Sequence, residues 1–275
     1  MKTSTSIHGR VAASLYFAAL LGLSGLLSAC SPVVKITEQA KLGNVDIAYT
    51  LGGIGAPAVV LQSGLGDGKE TWTAIMVDAQ KSHAVFAYDR PGYGDTSSNS
   101  GPRDACAIAA EQRQLLRAAG VKPPYLLVGH SLGGLYQYAY AKLYPQDVSG
   151  LLLIDPTHPD HWKQMQSETP AQANLIKTMR AVTFDATMRR EFDAQTDCLE
   201  KLDMNTPLRL PVKILASTVF NLLESGAFEQ FVRKNRVDWL RLTGAAQIEE
   251  IAGAGHYIHK DRPQAVVQAI RVLAR

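Results

Sequence analysis

The 275-residue chain predicts an α/β fold, a doubly wound and mostly parallel sheet with a helical cap insertion, on three observations. Short, continuously apolar runs recur at residues 58–61, 84–88, 125–128 and 151–154; a strand apolar on both faces is one that helices cover on both sides. Stretches of helical period lie between them, and strands alternating with helices wind by right-handed crossovers into a parallel sheet. Three of the runs end in glycine-rich loops, which places adaptable turns at the carboxyl edge of the sheet, where such folds bind ligands. The length suits one domain, and 46% hydrophobic against 19% charged residues describes a chain with a real core.

Ahead of that domain, residues 1–10 carry Lys2 and Arg10 and no acid, residues 11–27 are uncharged and mostly apolar, and Leu27-Ser28-Ala29-Cys30 follows. A basic start, an apolar stretch and a small-residue end are the layout of an export signal. The segment resembles the signal and lipobox of bacterial lipoproteins. That resemblance implies removal of residues 1–29, acylation of Cys30 and anchorage of the mature chain to a lipid bilayer of the cell envelope, with Ser31 permitting export to the outer membrane. The other reading is an uncleaved span, because the uncharged run 11–34 is long enough to cross a bilayer; Gly22, Ser24 and Gly25 loosen it where a cleavable signal weakens. Taking Lys2 and Arg10 from the 28 bases leaves 26 against 25 acids, so the formal +3 becomes +1. That balance offers nothing to nucleic acid.

Residues 32–42 lead as a tether into a first strand and 45–51 form a second, with Gly43-Asn44 as the turn. The strand at 58–61 runs into Gln62-Ser63-Gly64-Leu65-Gly66-Asp67-Gly68, with more glycines than a structural turn needs. A helix at 70–81 and a strand at 84–88 follow, then Asp89-Arg90-Pro91-Gly92-Tyr93-Gly94, which proline and glycine keep from becoming helical. Residues 104–119 are helical, with Asp104 as N-cap and Gly120 as stop. The strand at 125–128 meets Gly129-His130-Ser131-Leu132-Gly133-Gly134, and a helix continues to Leu143. After the strand at 151–154, which ends at Asp155-Pro156, residues 157–207 hold helical stretches with Met165, Met179, Met188 and Met204 and no strand pattern. Such an insertion between two core strands reads as a cap over a site, its methionines an adaptable apolar wall. The strand pattern returns at 212–216 and 246–251, with helices at 228–242 and 263–273, the last opening on Pro263.

Ser131 stands between Gly129 and Gly133 in a strand-turn-helix setting, the Gly-x-Ser-x-Gly nucleophile elbow. A serine hydroxyl needs a neighbouring base, usually a histidine oriented by a carboxylate. Of the seven histidines, His8 leaves with the signal, His83 precedes a strand, and His130 is the variable residue of the elbow, expected to point away from the nucleophile. His158 and His161 open the cap, and His259 follows His256 by three. His256, in the turn Gly253-Ala254-Gly255-His256 after the last strand, takes the place of the base. Metal dependence is not expected, His158 and His161 reading as easily as surface residues.

The elbow, the loop from Tyr88 to Gly94 and the late Gly255-His256, in this order over residues 33–275, resemble the α/β-hydrolase superfamily. The resemblance implies a cofactor-free serine hydrolase that forms an acyl-enzyme on Ser131 and takes small esters with an apolar acyl part. It implies oxyanion donors at the backbone N–H of Leu132 and, by position after the third strand, of Leu65, where many relatives carry His-Gly and this chain has Ser63-Gly64. Many members place the acid after the strand that follows the cap, but Ser217-Thr218-Val219-Phe220-Asn221 holds no carboxylate before Glu224. Asp155, at the end of the strand after the elbow helix, occupies the position other members use and is assigned as the acid, with Glu224, Asp238 and Asp160 as alternatives. Relatives with a carboxylate nucleophile are set aside by Ser131 itself. A catalytically inactive binding lipoprotein, and a perhydrolase or carbon-carbon hydrolase using the same triad, stay open. Cys106 and Cys198 also leave two readings, a disulfide suited to an exported protein or two separate buried thiols.

Overall fold

The computed structural model describes residues 37–222 and 224–275; the signal segment and Cys30 lie outside the described residues. In chain order the elements are β1 (Thr37–Leu42), β2 (Val45–Gly52), β3 (Ala58–Gln62), α1 (Thr73–Ala79), β4 (Val85–Tyr88), α2 (Ala105–Ala118), β5 (Tyr125–His130), α3 (Leu132–Leu143), β6 (Val148–Ile154), α4 (His161–Glu168), α5 (Pro170–Val182), α6 (Ala186–Asp193), β7 (Val212–Ser217), α7 (Ala227–Thr243), β8 (Ile248–Ile251), α8 (Ile258–Asp261) and α9 (Pro263–Leu273). The eight strands form one sheet in the order β1-β2-β4-β3-β5-β6-β7-β8. Only β1 with β2 and β2 with β4 run antiparallel; the remaining pairs are parallel.

The apolar runs are continuous because each face of the sheet has its own core. Side chains alternate across a strand, so Val60, Phe86, Leu127, Leu151 and Leu153 pack with Ile108, Leu135, Tyr138 and Trp239 of α2, α3 and α7. Their neighbours Val59, Leu61, Leu126, Val128, Leu152 and Ile154 pack on the other face with Ile75, Met76, Val266 and Ile270 of α1 and α9. α3 is buried along ten of its twelve residues, as expected for a helix apolar on every side. It is therefore a rigid support for whatever sits at its N-terminus.

Two elements differ from the sequence expectation. The helix expected at 70–81 opens as a tight 3₁₀ turn at Lys69–Trp72 before α1, because Trp72 is drawn inward and its Nε1–H donates to Ser63 Oγ at 2.9 Å. The last strand begins at Ile248, and as an edge strand it is half exposed. Between β6 and β7 lie three helices, α4 to α6, which form the cap insertion; Met165 and Ala173 pack on Phe231 of α7 in a small core of their own. Cys106 and Cys198 are joined, with S–S 2.04 Å and Cα atoms 6.0 Å apart, tying the start of α2 to the end of the cap.

Candidate active site

Ser131 follows β5 directly and has φ +53°, the left-handed region that a residue with a side chain occupies at a cost of about 1–3 kcal/mol. The turn is that sharp because its flanks are crowded. A Cβ on Gly129 would come within 2.7 Å of Gly134 Cα, and one on Gly133 within 2.9 Å of the Gln62 carbonyl carbon. Ser131 is half-buried at the carboxyl edge of the sheet, its Oγ 3.5 Å from Thr157 Oγ1. The other non-glycine residue with positive φ among the described residues is Asp155, at +43° just past β6. Backbone strain thus falls on two of the residues singled out from the sequence.

Asp155 is the carboxylate that meets His256: Nδ1 lies 2.8 Å from Oδ2. Arg236 of α7 holds the opposite oxygen, Nη2 donating to Oδ1 at 2.7 Å, and Ser217 Oγ donates to Oδ2 at 3.1 Å. Ser217 ends β7, where the sequence lacks a carboxylate, so a hydroxyl there supports an acid supplied by the neighbouring strand. Arg236 and Asp155 are 7% and 9% exposed. Burial alone would raise the Asp155 pKa; the hydrogen bond and charge of His256, then Arg236 and Ser217, outweigh it and hold the carboxyl below its ordinary value. Because a carboxylate only accepts, Nδ1 of His256 carries the proton and Nε2 is left with its lone pair free to accept one.

Of the alternative acids, Glu224 and Asp238 are engaged elsewhere, and no bond joins Asp160 to His256 among the described residues. Glu224 borders the same cavity, but its Oε2 accepts the Asn221 N–H at 3.0 Å. Asp238 pairs with His158 Nε2 at 3.0 Å and with Arg241, and the Asp160 N–H donates to His158 Nδ1 at 3.1 Å. Both ring nitrogens of His158 are occupied in this way, so His158 and His161 do not offer a pair of metal ligands. His161 packs against Phe228 and Phe231, where burial, then the charges of His158 and His256, lower its pKa to about 4. Of the four cap methionines only Met165 borders the cavity. Met188 lies against Gly66 and Met179 faces solvent.

His130 has a partner of its own. It is buried, and its Nε2 lies 2.9 Å from the His256 carbonyl oxygen, so Nε2 carries the proton and the elbow residue buttresses the loop that carries His256. Burial first, then the neighbouring His256 and His259, lowers its pKa well below the usual histidine value, which keeps it neutral.

The glycine-rich loop after β3 is fastened from beneath. Arg90 Nη1 donates to Ser63 O at 2.7 Å and Nη2 to Gly64 O at 2.8 Å. Lys69 Nζ, itself buried, pairs with Asp89 at 2.7 Å and Asp95 at 2.6 Å. Gly64 abuts Ser131: a Cβ there would lie 3.3 Å from Ser131 Cβ. Leu65 follows it, and Leu132 starts α3 with its side chain in the core. The Leu65 and Leu132 N–H groups have no backbone acceptor among the described residues. Arg236, Arg90, Ser217 and the buttressing role of His130 were missed in the sequence reading. Arg90 had a signal, its place in the Asp89-Arg90-Pro91-Gly92 loop; Arg236, in mid-helix and outside any motif, had none.

Ser131, Asp155, Arg236 and His256 all border one cavity of about 220 Å³, whose apolar wall is made by Met165, Ile176, Val219, Phe220, Phe228 and Val232. The strand order, the elbow and the late histidine define an α/β hydrolase. The chain belongs to the alpha/beta hydrolase family, whose profile matches residues 59–269. It is 30% identical over 213 residues to the uncharacterized protein YqjL of Bacillus subtilis, covering 77% of this chain and 81% of YqjL. RutD of Azorhizobium caulinodans, named as a carbamate hydrolase, is 30% identical over 113 residues, 41% of this chain and 42% of RutD. Among solved structures, Cfl2 of Burkholderia cenocepacia aligns with a TM-score of 0.66 at 18% identity, covering 87% of this chain and 95% of Cfl2.

Proposed function

We propose that this hydrolase cleaves small carboxylic esters through an acyl-enzyme on Ser131. The observation that carries the reading is the chain from Arg236 through Asp155 to His256, opening on the same cavity as Ser131. The 3.5 Å contact with Thr157 is too long to hold Ser131 Oγ, which is free to turn toward His256 as substrate tightens the site. His256 Nε2 takes the Ser131 proton while Asp155 stabilises the imidazolium. Oγ attacks the ester carbonyl, and the resulting oxyanion faces the N–H groups of Leu65 and Leu132, the latter at a helix N-terminus whose dipole favours negative charge. His256 then protonates the leaving alcohol, and water repeats the sequence on the acyl-enzyme.

Size and lining narrow the substrate. A cavity of about 220 Å³ is smaller than the ~300–1,000 Å³ of sites for drug-sized ligands, and its wall is apolar, so short aliphatic acyl groups fit. The similarity to RutD makes carbamates the second series to test, because the same attack serves both. Fluorophosphonate labelling reads the nucleophile: absence of an adduct on Ser131 in folded protein rejects the reading. p-Nitrophenyl esters of increasing acyl length read the cavity, with acetyl and butyryl esters expected to exceed dodecanoyl esters; the reverse order rejects the size argument.

We infer further that the enzyme is exported and anchored through acylated Cys30. The signal layout supports this, and so does the Cys106–Cys198 disulfide, a bond that persists in oxidising compartments. Cys30→Ala abolishes acylation and processing on this reading; a mature protein of unchanged mass rejects it.

A further inference from the structure

We propose that Arg90, clamped by Glu191 of the cap, is a positioning residue that aims the Leu65 N–H into the oxyanion site. The proposal rests on the serine-hydrolase reading above. A peptide unit is planar and trans, so its C=O and N–H point in opposite directions. Arg90 Nη2 holds Gly64 O at 2.8 Å, and that carbonyl shares its peptide plane with the Leu65 N–H. Drawing the oxygen toward Arg90 turns the N–H the other way, and Gly64 itself lies beside Ser131, where a Cβ on it would fall 3.3 Å from Ser131 Cβ. Arg90 Nη1 fixes the preceding peptide in the same manner through Ser63 O at 2.7 Å. A two-pronged hold on successive carbonyls needs the planar fork of a guanidinium, which lysine does not have.

The fork is set from the other side by the cap. Glu191 of α6 is fully buried and accepts from Arg90 Nε and Nη2 at 2.9 Å each, from Arg103 Nη2 at 3.0 Å and from Tyr93 Oη at 2.9 Å. Burial by itself would favour a protonated Glu191, but the Arg90 and Arg103 charges keep it ionised. A bidentate pair of this kind fixes the plane of the guanidinium. The cap thus builds the acyl pocket with α4 and α5 and, through α6, orients an oxyanion donor.

The test compares full-length Arg90→Lys and Glu191→Gln with the wild type. Three quantities are read: kcat/KM for a short p-nitrophenyl ester corrected by active-site titration, the inhibition constant of a matched trifluoromethyl ketone, and Tm. Loss of one oxyanion donor predicts that Arg90→Lys lowers kcat/KM by about 10²-fold and weakens the ketone by a similar factor. Glu191→Gln keeps the volume and one acceptor and shifts both quantities in the same direction by less. It also carries the test if Arg90→Lys fails to fold. A purely structural network would lower Tm and leave both quantities at wild-type values in the titrated sites, which overturns the proposal. If wild-type protein neither labels at Ser131 nor hydrolyses esters, the hydrolase reading fails and this one falls with it. If it labels normally while both variants bind the ketone as wild type does, only the positioning role fails.

Discussion

Asp155→Asn preserves the size of the side chain and removes its charge, and the distances around it give two separable effects. His256 Nδ1 lies 2.8 Å from Oδ2. A carboxylate there can only accept, but an amide can donate to Nδ1 and select the tautomer with its proton on Nε2, which takes nothing from Ser131. A serine protease altered in this way loses on the order of 10⁴ in kcat, equivalent to about 5.4 kcal/mol of barrier. The second effect is on stability. Arg236 is 7% exposed and 2.7 Å from Oδ1; breaking a buried pair costs ~3–5 kcal/mol. Here Arg236 keeps its bonds to Ser217 O at 2.8 Å and Ser217 Oγ at 2.6 Å, so the lower end applies, a fall in Tm of roughly 10 °C for a domain of this size. Ester hydrolysis normalised by active-site titration measures the first effect and thermal unfolding the second. A folded Asp155→Asn enzyme within about tenfold of wild-type kcat, together with a large loss in Glu224→Gln, would refute the assignment of the acid.

Three further outcomes follow from the same geometry. Burial first, then neighbouring positive charge, pushes the His161 pKa down to about 4 and that of His259 to about 3, and lowers that of His130 as well. The unfolded chain therefore binds more protons below about pH 6.5. Stability falls as pH is lowered from there toward the folded values, by up to about 1.4 kcal/mol per unit for each histidine; urea midpoints across this range check the slope, and His259→Asn flattens it. His130→Phe removes the bond to the His256 carbonyl at 2.9 Å and should lower kcat/KM roughly fivefold, the worth of about 1 kcal/mol, without preventing Ser131 labelling. Replacing Cys106 and Cys198 by serine opens a link spanning 92 residues, which in the chain-entropy account destabilises by about 4–5 kcal/mol; denaturant unfolding with and without reductant measures it.

Most of the sheet was legible because its strands announce themselves chemically. Runs such as Leu151-Leu152-Leu153-Ile154 are apolar at every position, and only a strand covered on both faces buries all of them. The 3₁₀ turn at Lys69–Trp72 was not legible, since it depends on Trp72 reaching Ser63 across the loop. The bond that His130 makes was not legible for a similar reason. From the chain alone His130 is the spare residue of a motif, and the partner that defines it lies 126 residues away.

The sequence by itself determined the class of fold and the places of Ser131 and His256. Glycine spacing and apolar runs are local constraints, written wherever a backbone must turn sharply or a strand must be covered. The tertiary structure decided that Asp155, of the four carboxylates the sequence offered, is the one that meets His256, while Glu224 and Asp238 face other partners. It also decided that Arg236 and Ser217 hold that carboxylate, and that Arg90 joins the cap to the glycine-rich loop. An ion pair between Arg90 and Glu191, 101 residues apart, leaves no periodic mark in the chain; it exists only once β4 and α6 are packed and water is excluded from between them.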